Sequence, residues 1–239
     1  MEENGIDFVI VNGENVAGGK GLTPKTMQQV LDSGVNAITG GNHIWDKKDC
    51  IEEITSHTTL VRPANYGPGV PGRGYNIFSV PGKNFKIAII NLMGRVFVEL
   101  PLDCPFRMFD EIYKEVREEA DMVFVDFHGE ATSEKMAFAH YVDGRATVVV
   151  GTHTHVQTAD EHIMKRGTAY ITDAGMTGSK DSVIGVQANS IIQRFLTGLP
   201  VKHEVASGRD TLNSVFVSVN KVTKKAASIS RINTPELNS

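Results

Sequence analysis

The sequence predicts an α/β fold, on three observations. Short, continuous apolar runs at residues 8–11, 122–127 and 146–150 have the composition of strands buried on both faces. Between them lie segments with helical apolar spacing, so strand and helix alternate as in βαβ units. The apolar runs end in short turns that carry Glu, Asn and His, at the strand end where open α/β sheets gather their ligands.

The elements follow in order. The run Phe8-Val9-Ile10-Val11 is the first strand, and Gly13 turns the chain tightly behind it. Glu14 and Asn15 then offer two oxygen ligands at its C-terminal end. Residues 17–22 are glycine-rich but lack the spacing of a phosphate-binding P-loop. Thr23 and Pro24 open a helix as N-cap and first-turn proline, Met27, Val30 and Leu31 give it an apolar face, and Gly34 stops it. Residues 37–39 are a second buried strand, after which Gly40 and Gly41 push Asn42 and His43 out at its edge. Asn is an uncommon metal ligand, so a Gly-Asn-His turn after a strand says more than a lone His.

A helix is predicted over residues 47–56. Residues 60–74, rich in Pro and Gly, read as an irregular loop and a candidate lid. Residues 75–80 and 85–92 form a hairpin around Pro81-Gly82-Lys83-Asn84. Phe109, Ile112, Tyr113, Val116 and Ala120 mark the core face of a helix. The strand at residues 122–127 ends at His128-Gly129-Glu130, and a helix over 133–141 follows. The strand at residues 146–150 closes on Gly151-Thr152-His153-Thr154-His155. Residues 170–173 are one more strand, ending at Asp173, a candidate to orient a ligand His, and 191–196 are the last helix. Residues 201–206, 212–219 and 226–232 read as an antiparallel set. No repeat or linker interrupts the chain, so residues 1–239 read as one domain.

Composition narrows the function. The chain has 239 residues, 41% of them hydrophobic, with a net charge of −4, so it carries no basic footprint for nucleic acid. Cys50 and Cys104 lie far apart and form no Cys-x-x-Cys pair, which argues against a thiolate metal site or a disulfide scaffold. A reducing cytoplasm is the expected location. The acidic, polar start Met1-Glu2-Glu3-Asn4-Gly5 is unlike a signal peptide, and no apolar run has the length of a membrane span. A homo-oligomer is compatible with all of this.

Four strands thus end in metal-type ligands: Glu14 with Asn15, Asn42 with His43, His128, and His153 with His155. Convergence of so many on one sheet edge is hard to explain as packing. Imidazole, carboxylate and amide without sulfur suit Fe, Mn or Zn. The number of ligands suits two ions, and a pair about 3.5–4 Å apart suits in-line displacement at phosphorus.

Gly13-Glu14-Asn15, Gly41-Asn42-His43, His128 and Gly151 to His155 resemble the motifs of the calcineurin-like metallophosphoesterases. The stretches Asn42 to Lys48, Arg62 to Asn65, Asp126 to His128, Glu130 to Lys135 and Gly151 to Asp160 are similar to the bacterial YmdB-like branch, 2′,3′-cyclic-nucleotide phosphodiesterases. The resemblance implies a four-layer α/β/β/α sandwich and two metal ions, reported as iron in the family. It implies that Glu14 bridges the ions, that Asn15 and His155 serve the first, and that Asn42, His128 and His153 serve the second. His43 becomes the proton donor to the leaving oxygen, and a small cyclic nucleotide such as 2′,3′-cAMP the substrate. The family's first strand, helix and Gly-Asp ligand have no counterpart here. The expected reading is a start downstream of that segment, with an unpaired edge at residues 8–11. Asp7 sits at the wrong end of its strand to substitute. A non-catalytic metal or nucleotide sensor is the competing reading. The amidohydrolase barrel, whose His-x-His typically follows its first strand, is set aside because His153 and His155 come late.

Overall fold

The computed structural model describes residues 5–237. The acidic start at residues 1–4, on which the expectation about a signal peptide rests, lies outside them, as do residues 238–239.

The first part of the chain is parallel. Strand β1 (Ile10–Asn12) leads through helix α1 (Pro24–Asp32) to β2 (Ala37–Thr39), and helix α2 (Cys50–Ser56) leads on to β3 (Leu60–Val61). The strands lie in the order β1-β2-β3, all parallel. Helix α1 starts where its sequence dictates. The Thr23 hydroxyl accepts from the Thr26 N–H while the Thr26 hydroxyl accepts from the Thr23 N–H, a reciprocal capping box.

Next come the hairpin β4 (Tyr75–Ser79) and β5 (Lys86–Met93), then α3 (Pro105–Val116), β6 (Met122–His128), α4 (Thr132–Val142), β7 (Val148–Thr152), β8 (His162–Ile163) and β9 (Ala169–Ile171). They build a six-stranded sheet ordered β4-β5-β6-β7-β9-β8, in which β5, β6, β7 and β9 run parallel. The strands β10 (Gly178–Ser179), β11 (Asp210–Val219) and β12 (Ala226–Leu237) form a small antiparallel sheet, with helix α5 (Ala188–Thr197) between the first two in sequence.

Alternation along β6 shows how the layers stack, because successive side chains of a strand point to opposite faces. Val123, Val125 and Phe127 join Phe109, Ile112, Phe138 and Val142 in a core beneath α3 and α4. Met122 and Phe124 point the other way and join Ala37, Val61, Val215, Val217 and Ile229 from the other two sheets. A third core of Leu22, Met27, Ile38, Ile54 and Leu60 lies between β1-β2-β3 and helices α1 and α2. The order is therefore helices, sheet, sheet, helices, the four layers expected. Among the described residues, β1 has a single partner strand, β2, and its residues are half-buried. No helix among them is long and apolar enough to cross a membrane.

The structure corrects three expectations. Helix α2 begins at Cys50, not at residue 47. Residues 60–61, expected to open a loop, are a fully buried strand that extends the parallel sheet. Residues 201–206 form no strand: Val205 makes one isolated bridge to Val186, and the third antiparallel strand is β10 instead. The loop after β3 is tied down by its own hydrogen bonds. Arg62 donates to the carbonyls of Pro63, Val70 and Pro71, and the buried Asn65 amide ties Met93 and Asp103.

Phe138 is fully buried against Phe106, Phe109 and Phe127, at centroid distances of 5.5, 5.7 and 4.5 Å. Phe138→Ala should therefore cost about 3–5 kcal/mol in denaturant unfolding. A loss under about 1 kcal/mol would mean that this cluster is not the helix-side core.

Candidate metal centre

The candidate ligands come from two sheets, not from one sheet edge as the sequence suggested. Glu14 follows β1 and Asn42 follows β2, whereas His128 ends β6 and His153 follows β7. The two sets of parallel strands bring these turns together between the inner layers.

There the side chains meet. The buried His128 Nε2 lies 2.9 Å from Asn42 Oδ1, 3.2 Å from Glu14 Oε2 and 3.0 Å from His153 Nδ1. Among the described residues, Glu14, His128 and His153 are a group whose ligand atoms all lie within 4.8 Å of one another. Oxygen and imidazole lone pairs packed this closely repel unless a positive charge or shared proton lies among them. This donor set fits Fe, Mn or Zn.

Backbone closeness makes the cluster possible. A Cβ on Gly41 would fall 1.9 Å from Glu14 Oε2 and 2.5 Å from His128 Nε2. Only glycine lets the β2 turn approach so near. On the β7 side, His153 and His155 both adopt positive φ, 104° and 67°. Such conformations are strained for non-glycine residues and persist where the surroundings over-determine them. Asp173 supplies that restraint. It orients no ligand ring; its Oδ2 instead accepts from the N–H and hydroxyl of Thr154, between the two histidines, and from the buried Lys135 ammonium at 2.8 Å.

The remaining predicted residues lie around this cluster. His43 turns Nδ1 toward Asp46 Oδ2 at 2.9 Å, and both side chains are partly exposed. The Asn15 amide donates to the Gly19 carbonyl, and His155 Nδ1 faces the Ile184 carbonyl at 3.0 Å. His155 is not among the Glu14–His128–His153 group. Glu130 reaches His153 Nε2 at 3.1 Å. Trp45 packs edge-on against Tyr66 and beside the core under α1. Asp46, Lys135 and Glu130 went unnoticed as contributors in sequence. The available signal was Lys135 on the apolar face of a helix, four residues before Ala139.

Burial sets the electrostatics. It pushes the Glu14 carboxyl up to about 8, against the pull of the His43 N–H. It holds the His128 imidazole well below its usual range, helped by His153 and Lys135 nearby, and lowers His153 as well. In a cation-free centre burial thus favours the protonated form of Glu14.

A family model described as YmdB-like protein matches residues 1–232. The chain is 52% identical over 225 residues to a Bacillus subtilis protein named 2′,3′-cyclic-nucleotide 2′-phosphodiesterase, covering 94% of this chain and 84% of that one. A crystal structure of a hypothetical protein from Thermus thermophilus superposes with a TM-score of 0.91 at 42% identity, covering 98% and 89% of the two chains. A structure described as a novel phosphatase from Mycoplasma pneumoniae superposes with a TM-score of 0.90 at 39% identity, covering 98% and 84%.

Gly41→Ala should lower Mn²⁺ affinity at least about tenfold in calorimetric titration while the far-UV circular dichroism stays native; undiminished affinity would contradict the close packing at Gly41. The Glu14 shift gives a second expectation. Its folded pKa lies above its unfolded value, so its contribution is complete below about pH 4.5 and is lost as the pH rises through about 8. In chelator-treated protein, Glu14→Gln should gain on the wild type across that window by up to about 1.4 kcal/mol per pH unit in urea unfolding. A pH-independent difference would show that Glu14 is not held neutral.

Proposed function

The chain belongs to the YmdB-like protein family, and from that premise we propose that it is a metal-dependent phosphoric diester hydrolase that opens 2′,3′-cyclic nucleotides. The carrying observation is the meeting of Glu14, Asn42, His128 and His153 in one cleft. The name of the Bacillus subtilis relative supports the substrate class and the choice of the 2′ bond.

In this reading Asn42, His128 and His153 would hold one cation, Asn15 and His155 would serve another, and Glu14 would serve both. Iron is the metal the resemblance implies, and the oxygen and imidazole donors suit Mn and Zn equally. When bound, the cations supply Lewis acidity toward the phosphoryl oxygens and lower the pKa of water. The chain's own part is placement and proton delivery. A water oxygen, releasing a proton to solvent, forms a new bond to phosphorus as the P–O2′ bond breaks, leaving a 3′-phosphate. The departing O2′ needs a proton. Asp46, accepting from the Nδ1–H of His43, fixes the ring, and in its doubly protonated, imidazolium form that ring carries on Nε2 the proton the departing O2′ needs.

The same reading treats residues 1–239 as one catalytic domain, supported by the layered cores that share their strands. A cytoplasmic setting is supported by the sparse cysteine content, 2 in 239 residues with no Cys-x-x-Cys spacing. The net charge of −4 favours a small nucleotide over a nucleic-acid polymer.

The test uses the full chain with added Mn²⁺ or Fe²⁺ and 2′,3′-cAMP. Turnover to 3′-AMP is expected, and His43→Ala should reduce kcat by about 10²–10⁴-fold with unchanged metal content. Full turnover in His43→Ala would refute the proton-donor role. Nucleotide binding without any product would favour the sensor instead.

A further inference from the structure

The four convergent ligands have a common support that lies behind them. We propose that Asp126 and Thr152 are positioning residues of the metal centre. The buried Asp126 carboxylate, acting through the Thr152 hydroxyl, fixes His128 as its Nδ1–H tautomer and so aims the Nε2 lone pair at the cation. This rests on the reading of His128 as a ligand.

A proton count carries the argument. Thr152 Oγ1 lies 2.6 Å from Asp126 Oδ1 and 2.9 Å from His128 Nδ1. A hydroxyl has one proton to give, and the carboxylate oxygen accepts it. The Thr152 oxygen is then left as an acceptor toward the ring, so Nδ1 carries the hydrogen. A neutral imidazole has one N–H, which leaves Nε2 bare. That is the atom facing Asn42 Oδ1, Glu14 Oε2 and His153 Nδ1. With the opposite tautomer and an ionised Asp126, Thr152 would have to donate to both neighbours with one hydrogen.

The other carboxylate oxygen extends the same control. Asp126 Oδ2 accepts from Asn12 Nδ2 at 3.0 Å and from the Thr39 hydroxyl at 2.5 Å. Asn12 stands two residues before Glu14, Thr39 three before Asn42, Thr152 one before His153, and Asp126 itself two before His128. One side chain therefore grips all four ligand-bearing strand ends and spans both inner sheets. Strand alternation explains why it can: Met122, Phe124, Asp126 and His128 share the face of β6 that looks toward the opposite sheet.

The test compares wild type, Thr152→Val and Thr152→Ser, all as full chain. In metal-free protein, ¹⁵N-edited histidine spectra should show His128 as Nδ1–H in wild type and Thr152→Ser. Thr152→Val should shift it toward Nε2–H. Mn²⁺ affinity should fall about 10–100-fold in Thr152→Val and return in Thr152→Ser. An Nε2–H signal in the wild type overturns the proposal, as does a Thr152→Val protein with unchanged tautomer and affinity. The wild-type spectrum needs no variant, so a Thr152→Val chain that does not fold leaves the decisive observation in place. A wild type with the Nδ1–H tautomer that takes up no Mn²⁺ would support the relay and sink the metal reading alone.

Discussion

The site depends on a carboxylate buried beneath it. Asp126 sits between the two inner sheets and takes hydrogen bonds from Asn12, Thr39 and Thr152. An uncompensated charge there would be costly, and three donors offset that cost. Burial still pushes the Asp126 carboxyl above its usual range, the hydrogen bonds pulling it the other way. The interaction thus fixes how the two sheets register where their turns meet. Without that registration, four candidate ligands drawn from separate strands would have no reason to share one point in space.

Around this support the cleft is built at a cost in stability. Glu14 is forced toward its neutral form and the His128 imidazole is kept from protonating. His153 and His155 hold strained backbone, restrained by Asp173 and the buried Lys135. Buried acceptors crowd together where apolar side chains would pack more stably. Such arrangements concentrate at functional sites, where a bound partner rather than the fold itself compensates them. The Gly41 approach has the same character, since the cluster closes only because no side chain stands there.

Much of this was legible in the chain. Continuous apolar runs located β6 and β7, because strands covered on both faces leave little room for polar residues, and the run at residues 8–11 pointed to β1, whose residues are only half-buried. The Thr23–Pro24 start and the glycine turns were readable for the same local reason. What failed was short or long-range. Leu60–Val61 is too brief for periodicity to reveal, and the residues around Val205 have strand-like composition without a continuous partner. The division of the ligands between two sheets depends on pairing that a linear pattern does not encode. Asp126 was visible as the one acid within Met-Val-Phe-Val-Asp-Phe-His, yet its partners lie 114, 87 and 26 residues away. His155, named by the resemblance, lies outside the central group.

The central claim is that Glu14, Asn42, His128 and His153 are a prepared cation site. Anomalous diffraction from a Mn²⁺-soaked crystal tests it most directly. The account predicts a peak coordinated by Glu14 Oε2, Asn42 Oδ1, His128 Nε2 and a ring nitrogen of His153, at about 2.0–2.2 Å from each. A cleft without an anomalous peak, in crystals that bind Mn²⁺ only at surface carboxylates, would contradict it.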